Sequence, residues 1–173
     1  MSKLRCYCAS QMTGRTGIDL VNQSAEVARL AEKYNIEALD PIQKENVKAV
    51  DKPLHNHGKT LREYWKKDKE MIQNAHVLID LTGPRKSEGT AHEIGLARYF
   101  LYKPVVRVYE NLGPSIARFE DDIIVGSMDE AFNIAVYHWG TPKKRLQWRW
   151  LLYKRCLPGM IKAFFREWRN CIW

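Results

Sequence analysis

No stretch of this 173-residue chain comes near the ~18 consecutive apolar residues that cross a bilayer. The opening Met1-Ser2-Lys3-Leu4-Arg5 turns polar too early for a secretory leader. Cysteine is sparse. Cys6, Cys8, Cys156 and Cys171 form no C-x-x-C pair and no zinc spacing, a usage that fits a reducing, cytoplasmic setting. There is no G-x-G-x-x-G fingerprint and no P-loop, so the commonest dinucleotide and triphosphate sites are not expected. Internal repeats and low-complexity tracts are also missing. Acid is nearly absent from residues 143–173, where nine Lys and Arg face Glu167 alone. Residues 1–142 carry 19 basic and 19 acidic side chains, so the net charge of +8 belongs entirely to the tail. A neutral domain with a basic appendix is expected, not a basic domain.

What is present is enough for a core. The chain is 45% hydrophobic and has the length of one domain. Short apolar runs at residues 3–9, 36–39, 77–81, 104–109 and 122–125 read as strands. Helical spacing falls between them, at residues 19–31, 60–72, 89–102 and 129–139, with Asp19 as a candidate cap for the first helix. Strands alternating with helices predict an α/β fold: a doubly wound, flavodoxin- or Rossmann-like five-stranded parallel sheet, with a C-terminal helical extension. The organisation expected is a domain over residues 1–142 and a helical tail over 143–173. Ligands in such sheets bind outside the carboxyl ends of the strands. The loops at 10–17, 40–59 and 82–88, and the one after Tyr109, are therefore the functional candidates.

Three segments could carry chemistry. Residues 87–97, SEGTAHEIGLA, lead from a loop into a helix start, where free N–H groups and the dipole favour an anion. Glu93 sits one turn inside, among small and apolar neighbours. The pattern alone is equally compatible with a satisfied glutamate and a catalytic one. Gly95 within that helix predicts a close backbone approach. On the preceding helix, Asp68 shares a side with Trp65, Met71 and Ile72, as a cap, an ion pair or an active-site group. The loop Ser10-Gln11-Met12-Thr13-Gly14-Arg15-Thr16-Gly17 offers hydroxyls, glycines and a guanidinium, a composition that suits phosphate but also an ordinary turn. His55 and His57 lack a third metal ligand in view and read as loop residues.

Together these residues resemble the nucleoside 2-deoxyribosyltransferase superfamily, and within it the 2'-deoxynucleoside 5'-monophosphate N-glycosidases. The resemblance spans roughly residues 3–137. It rests on Tyr7-Cys8-Ala9-Ser10 with Thr13-Gly14-Arg15, and on Asp68 eight residues before His76. It rests also on the G-x-x-x-E-x-G-x-A pattern of Gly89, Glu93, Gly95 and Ala97, and on Pro114-Ser115-Ile116-Ala117. It implies Glu93 as nucleophile, with Asp68 and Tyr7 as its catalytic companions. It implies a substrate held by Ser10, Thr13, Gly14, Arg15, Ser87, Gly89 and Ser115. Ser87 stands where transferases of free nucleosides carry Asp, and Ser115 where they carry an amide. A carboxylate beside a phosphate would repel it, whereas Ser donates a hydrogen bond. The expected substrate is thus a small-molecule nucleotide, a 5'-monophosphate, hydrolysed without metal or cofactor. Base exchange between deoxynucleosides and non-catalytic nucleotide sensing are the alternatives. The resemblance also implies a homo-oligomer with shared active sites.

The tail lies outside this resemblance. Leu146, Trp150, Tyr153 and Leu157 make one apolar stripe. Ile161, Phe164, Phe165, Trp168 and Ile172 make a second, with Pro158-Gly159 between. Two basic amphipathic helices are expected. They suit packing on the domain or a partner subunit, an anionic membrane surface, or nucleic acid.

Overall fold

In the computed structural model the described residues are 3–12, 14–51, 61–83, 88–109, 123–151 and 153–154. Short β-branched and apolar runs form the strands: β1 Leu4–Ala9, β2 Ile36–Leu39, β3 Val77–Asp80, β4 Val105–Val108 and β5 Ile123–Val125. All pair in parallel, in the order β2-β1-β3-β4-β5. β3 and β4 are buried along their whole length, as central strands covered on both faces must be. The helices are α1 Gly17–Lys33, α2 Pro41–Lys44, α3 Leu61–Asn74, α4 Glu88–Gly95 and α5 Met128–Trp139. The fold is the doubly wound parallel α/β sheet that the sequence predicts. No helix among the described residues is long and apolar enough to cross a membrane.

Alternation along β1 separates two cores. Cys6 and Cys8 point to one face, packed with Val27, Leu30, Phe132 and Trp139 of α1 and α5. Tyr7 and Ala9 point to the other, with Ile72 and Ala75 at the end of α3 and Ile94 of α4. Both thiols are free and buried, and burial pushes their pKa values up. They pack as small apolar groups.

Several local readings change. The cap of α1 is Thr16, whose hydroxyl accepts from the Asp19 N–H at 3.1 Å. Asp19 supplies first-turn charge instead. The loop after β2 opens with α2, capped by Asp40 and started by Pro41. The helix that begins at Glu88 does not run on as α to Tyr102. It becomes π-helical over Leu96–Phe100. A Cβ at Gly95 would meet nothing within 4 Å, so no backbone approaches it closely. That approach belongs to Gly17, where a Cβ would stand 2.1 Å from the Lys48 carbonyl oxygen. Gly17 therefore lets the chain after α2 lie directly on the start of α1, joined by the Ile18 N–H to Val50 carbonyl bond.

The tail begins as a helix, α6, over residues 142–151, with 153–154 also helical. Its inward face is not the stripe the spacing picks out. Leu146, Trp150 and Tyr153 are exposed, while Trp148 turns in against Trp139, edge-on at 5.4 Å. The second tail stripe, the His55 and His57 pair, and Thr13, Ser87 and Ser115 lie outside the described residues.

Candidate active site

β1 and β3 are neighbours with connections leaving in opposite directions, which opens a crevice at their carboxyl ends. Tyr7 is wholly buried near that end of β1. Its hydroxyl donates to Glu93 Oε1 at 3.0 Å. Glu93 comes from the middle of α4 and is itself buried. Asp68, from α3, lies near enough for the Tyr7 hydroxyl to pull its pKa down, and its charge acts in turn on Tyr7 and Glu93. Three residues far apart in sequence thus converge around one phenol. Two carboxyl groups and one hydroxyl stand in one electrostatic set.

The electrostatics agree. Burial first, and then the negative field of Asp68 and Asp80, push the Glu93 carboxyl up to about 8. Asp68 rises to about 6, again mainly through burial, with Glu45 adding to it and Tyr7 and Lys67 opposing. Burial, and the carboxylates of Glu93 and Asp68, hold the Tyr7 phenol far above its usual range. Tyr7 is therefore a neutral donor, not a phenolate. The second carboxyl oxygen of Glu93, Oε2, is buried with no hydrogen-bond partner. An unsatisfied buried oxygen of this kind is costly.

The rim carries polar groups. Ser10 follows β1, and its hydroxyl is likewise buried without a partner. Gly14 is in the left-handed region, at φ 80°, and shapes the turn that follows. Arg15 folds back onto α1, where its guanidinium donates to the Gln23 side-chain carbonyl and, at 3.3 Å, to the Asp19 backbone carbonyl. Gln23 in turn donates to the Leu81 carbonyl at 3.4 Å, at the end of β3. Gly89 is exposed in the first turn of α4. The three catalytic candidates converge, and Ser10, Gly14, Arg15 and Gly89 lie on loops or helix starts at the same edge of the sheet.

Two residues were missed in the sequence. Asp80 closes β3, is buried, and accepts from the Thr82 N–H at 3.0 Å and the Thr82 hydroxyl at 2.5 Å. Burial raises its pKa, and Arg107, its register partner on β4, opposes that rise. An acid inside the apolar run of residues 77–81, with Thr-Gly following one residue later, is the signal that could have found it. Gln23 offers no such signal, since it reads as one more polar residue on the outer side of α1. No group of three or more metal-ligating side chains lies among the described residues.

No protein-family model matches the sequence, and no curated protein matches it. Solved structures do. A 2-deoxyribosyltransferase from the psychrotolerant Bacillus psychrosaccharolyticus superposes with a TM-score of 0.51 at 20% identity, covering 75% of this chain and 90% of its own. A conserved protein of Enterococcus faecalis gives 0.54 at 20% identity, covering 76% and 96%. The CMP N-glycosidase BcmB of Clostridium botulinum gives 0.50 at 17% identity, covering 77% and 98%. At such identities the shared feature is the fold, and this chain has the fold of the nucleoside 2-deoxyribosyltransferase superfamily that its motifs resemble.

Proposed function

We propose that the chain hydrolyses the N-glycosidic bond of a 2'-deoxynucleoside 5'-monophosphate. The observation that carries this reading is the buried Glu93, bonded to Tyr7, set in the field of Asp68 and left with one free oxygen. Two structural neighbours, a 2-deoxyribosyltransferase and a CMP N-glycosidase, act on glycosidic bonds of this type. Glycosyl transfer or hydrolysis on a nucleoside or nucleotide is the broad class they support.

The protonation states set the order of events. Near neutral pH the resting proton sits mainly on Glu93, whose pKa is about 8, rather than on Asp68, at about 6. Attack requires it to leave. The Tyr7 hydroxyl can pass its own proton to Asp68 and take the one from Glu93. The Glu93 carboxylate then forms a bond from Oε2 to C1' while the C1'–N bond breaks, its electron pair going to the base. Asp68 supplies the proton to the departing base. Water next attacks C1' of the glycosyl ester, losing its proton to Asp68, and the ester oxygen returns to Glu93. Deoxyribose 5-phosphate and free base are released. Such a carboxylate pair follows retaining-glycosidase logic. Ser10, Gly14, Arg15 and the start of α4 at Gly89, together with Thr13, Ser87 and Ser115, would hold the phosphate. Fixing the phosphate fixes C1' against Glu93.

The test is release of free base from each dNMP, followed by chromatography beside the matching deoxynucleosides and ribonucleotides. Base from dNMPs that disappears in Glu93→Ala is the expected result. Base from none of these substrates would refute the reading, and base exchange without net hydrolysis would move it to a transferase.

A further inference from the structure

A second polar cleft opens at the opposite edge of the sheet, at the amino ends of the strands. It has a volume of about 280 Å³ and lies between the domain and α6. Arg5 opens β1, His76 directly precedes β3, and Lys103 stands just before β4. Arg145 and Arg149 reach in from α6. No Asp or Glu lines the cleft among the described residues.

Its hydrogen bonds do not balance. The Arg5 backbone N–H donates to His76 Nδ1 at 2.9 Å. A neutral imidazole has one acceptor nitrogen, so Nε2 then carries the proton. Yet Arg145 Nη1, itself only a donor, lies 2.7 Å from that Nε2 and 3.1 Å from Nδ1. Two donors face each other across a short gap. Arg145 Nε and Nη2 are buried and have no partner at all. Lys103 spends its three protons on the Ile72, Gln73 and Ala75 carbonyls at the end of α3, at 2.5–2.6 Å, so it contributes charge and no spare donor. The field bears this out. Burial, Arg145, Arg5 and Lys103 hold His76 down at about 4, and burial, Arg149 and Arg5 hold Lys103 at about 8. Donors and positive charge are in excess, and acceptors are lacking.

We propose that this cleft is a second anion site, distinct from the carboxylate crevice, that takes a phosphate group between His76, Arg145 and Arg149. A phosphate oxygen at the His76–Arg145 gap accepts from both. Its other oxygens meet Arg145 Nε and Nη2 and the Arg149 guanidinium, the fork-shaped donors best suited to phosphate. The space is small by the standard of ligand pockets, which run about 300–1,000 Å³. It fits a phosphate with a small organic substituent. Trp139 forms part of the wall and offers that substituent an apolar surface.

The test uses the full chain and inorganic phosphate, read by NMR at two probes inside the cleft, the Trp139 indole N–H and the His76 ring. Chloride at matched ionic strength is the reference. Phosphate should shift both signals saturably and raise the His76 titration midpoint by about one pH unit, as an opposing charge nearby does. The Arg145→Gln/Arg149→Gln double variant should lose the response. The exposed single change Arg149→Glu, which disturbs little packing, should weaken it at least tenfold. Phosphate that moves neither probe beyond chloride overturns the proposal, as does a double variant, folded by its remaining resonances, that responds like the parent. Phosphatidic-acid vesicles distinguish the source: release of bound protein by the same phosphate points to a lipid headgroup, and filling of the cleft with unchanged vesicle binding points to a soluble ester. The probes lie far from Glu93, so the outcome is independent of base release.

Discussion

Glu93→Gln should make the protein more stable, and increasingly so as pH rises. Gln keeps the shape and still offers a carbonyl to the Tyr7 hydroxyl, which now donates to Glu93 Oε1 at 3.0 Å. In place of the unpartnered Oε2 it puts an amide, whose donors suit the negative field of Asp68 and Asp80. The native carboxyl ionises near 4.5 when unfolded and only at about 8 when folded. Between those values the folded chain holds a proton that the unfolded chain has released. Stability therefore falls as pH rises through that window, and above about 8 the full cost of a buried charge is present. At about 1.4 kcal/mol per pH unit the ceiling is on the order of 4–5 kcal/mol. Half of that, about 2 kcal/mol, would move the Tm of a chain this size by roughly 4–8 °C. Thermal melts of both proteins at pH 5, 7, 8.5 and 9.5 measure it. Titrating groups remote from Glu93, His76 and Lys103 among them, are common to both and cancel in the difference. The two should melt together at pH 5 and separate progressively above pH 6. A Tm difference independent of pH, or a Gln variant that is the less stable of the two at pH 9.5, would refute the assignment of a buried, protonated Glu93. The same variant should release no base.

Tyr7→Phe removes the hydroxyl that donates to Glu93. It should cost about 1–3 kcal/mol in urea unfolding and slow base release about a hundredfold or more, in the range for lost proton transfer. Ser24→Ala deletes a buried donor to Asp40 Oδ2, now at 2.5 Å, and leaves only the Ile42 N–H on that carboxylate. A loss of about 1–3 kcal/mol is expected by the same unfolding measurement, with base release per folded molecule unchanged. Trp148→Ala breaks the edge-on contact with Trp139 that seats α6. Faster hydrogen exchange confined to residues 142–151 is expected, while the strands keep their protection.

The strands were legible because apolar β-branched runs leave few alternatives, and the parallel order followed from the helices between them. Glu93 and Asp68 stood out in the sequence only as parts of motifs. The structure brings Tyr7 beside them, and its side of β1 follows from alternation: with Cys6 and Cys8 on one face, Tyr7 must take the other. The signal for α2 was present in Asp40-Pro41, a cap followed by a proline at the first helical position, but the loop's polar composition masked it. The inward face of α6 was not legible. Its leucines and aromatics fall at helical spacing on two sides, and periodicity favoured the longer stripe. The structure favours the side where one large ring, Trp148, finds another, Trp139. The π-helical stretch at Leu96–Phe100 was not legible either; the sequence reads as one continuous helix from Gly89 to Tyr102.

A parallel sheet has a front and a back, and the two candidate sites of this chain fall on different sides. The carboxyl groups of Glu93 and Asp68 lie at the front, where the strands end. The basic helix departs from the back, against Arg5, His76 and Lys103, where the strands begin. A tether on α6, whether a surface, a fused protein or an affinity resin, would hold the molecule by its reverse and leave the candidate active site facing outward. Immobilisation through that end should preserve turnover, whereas attachment through the loops around Ser10 and Gly14 should abolish it.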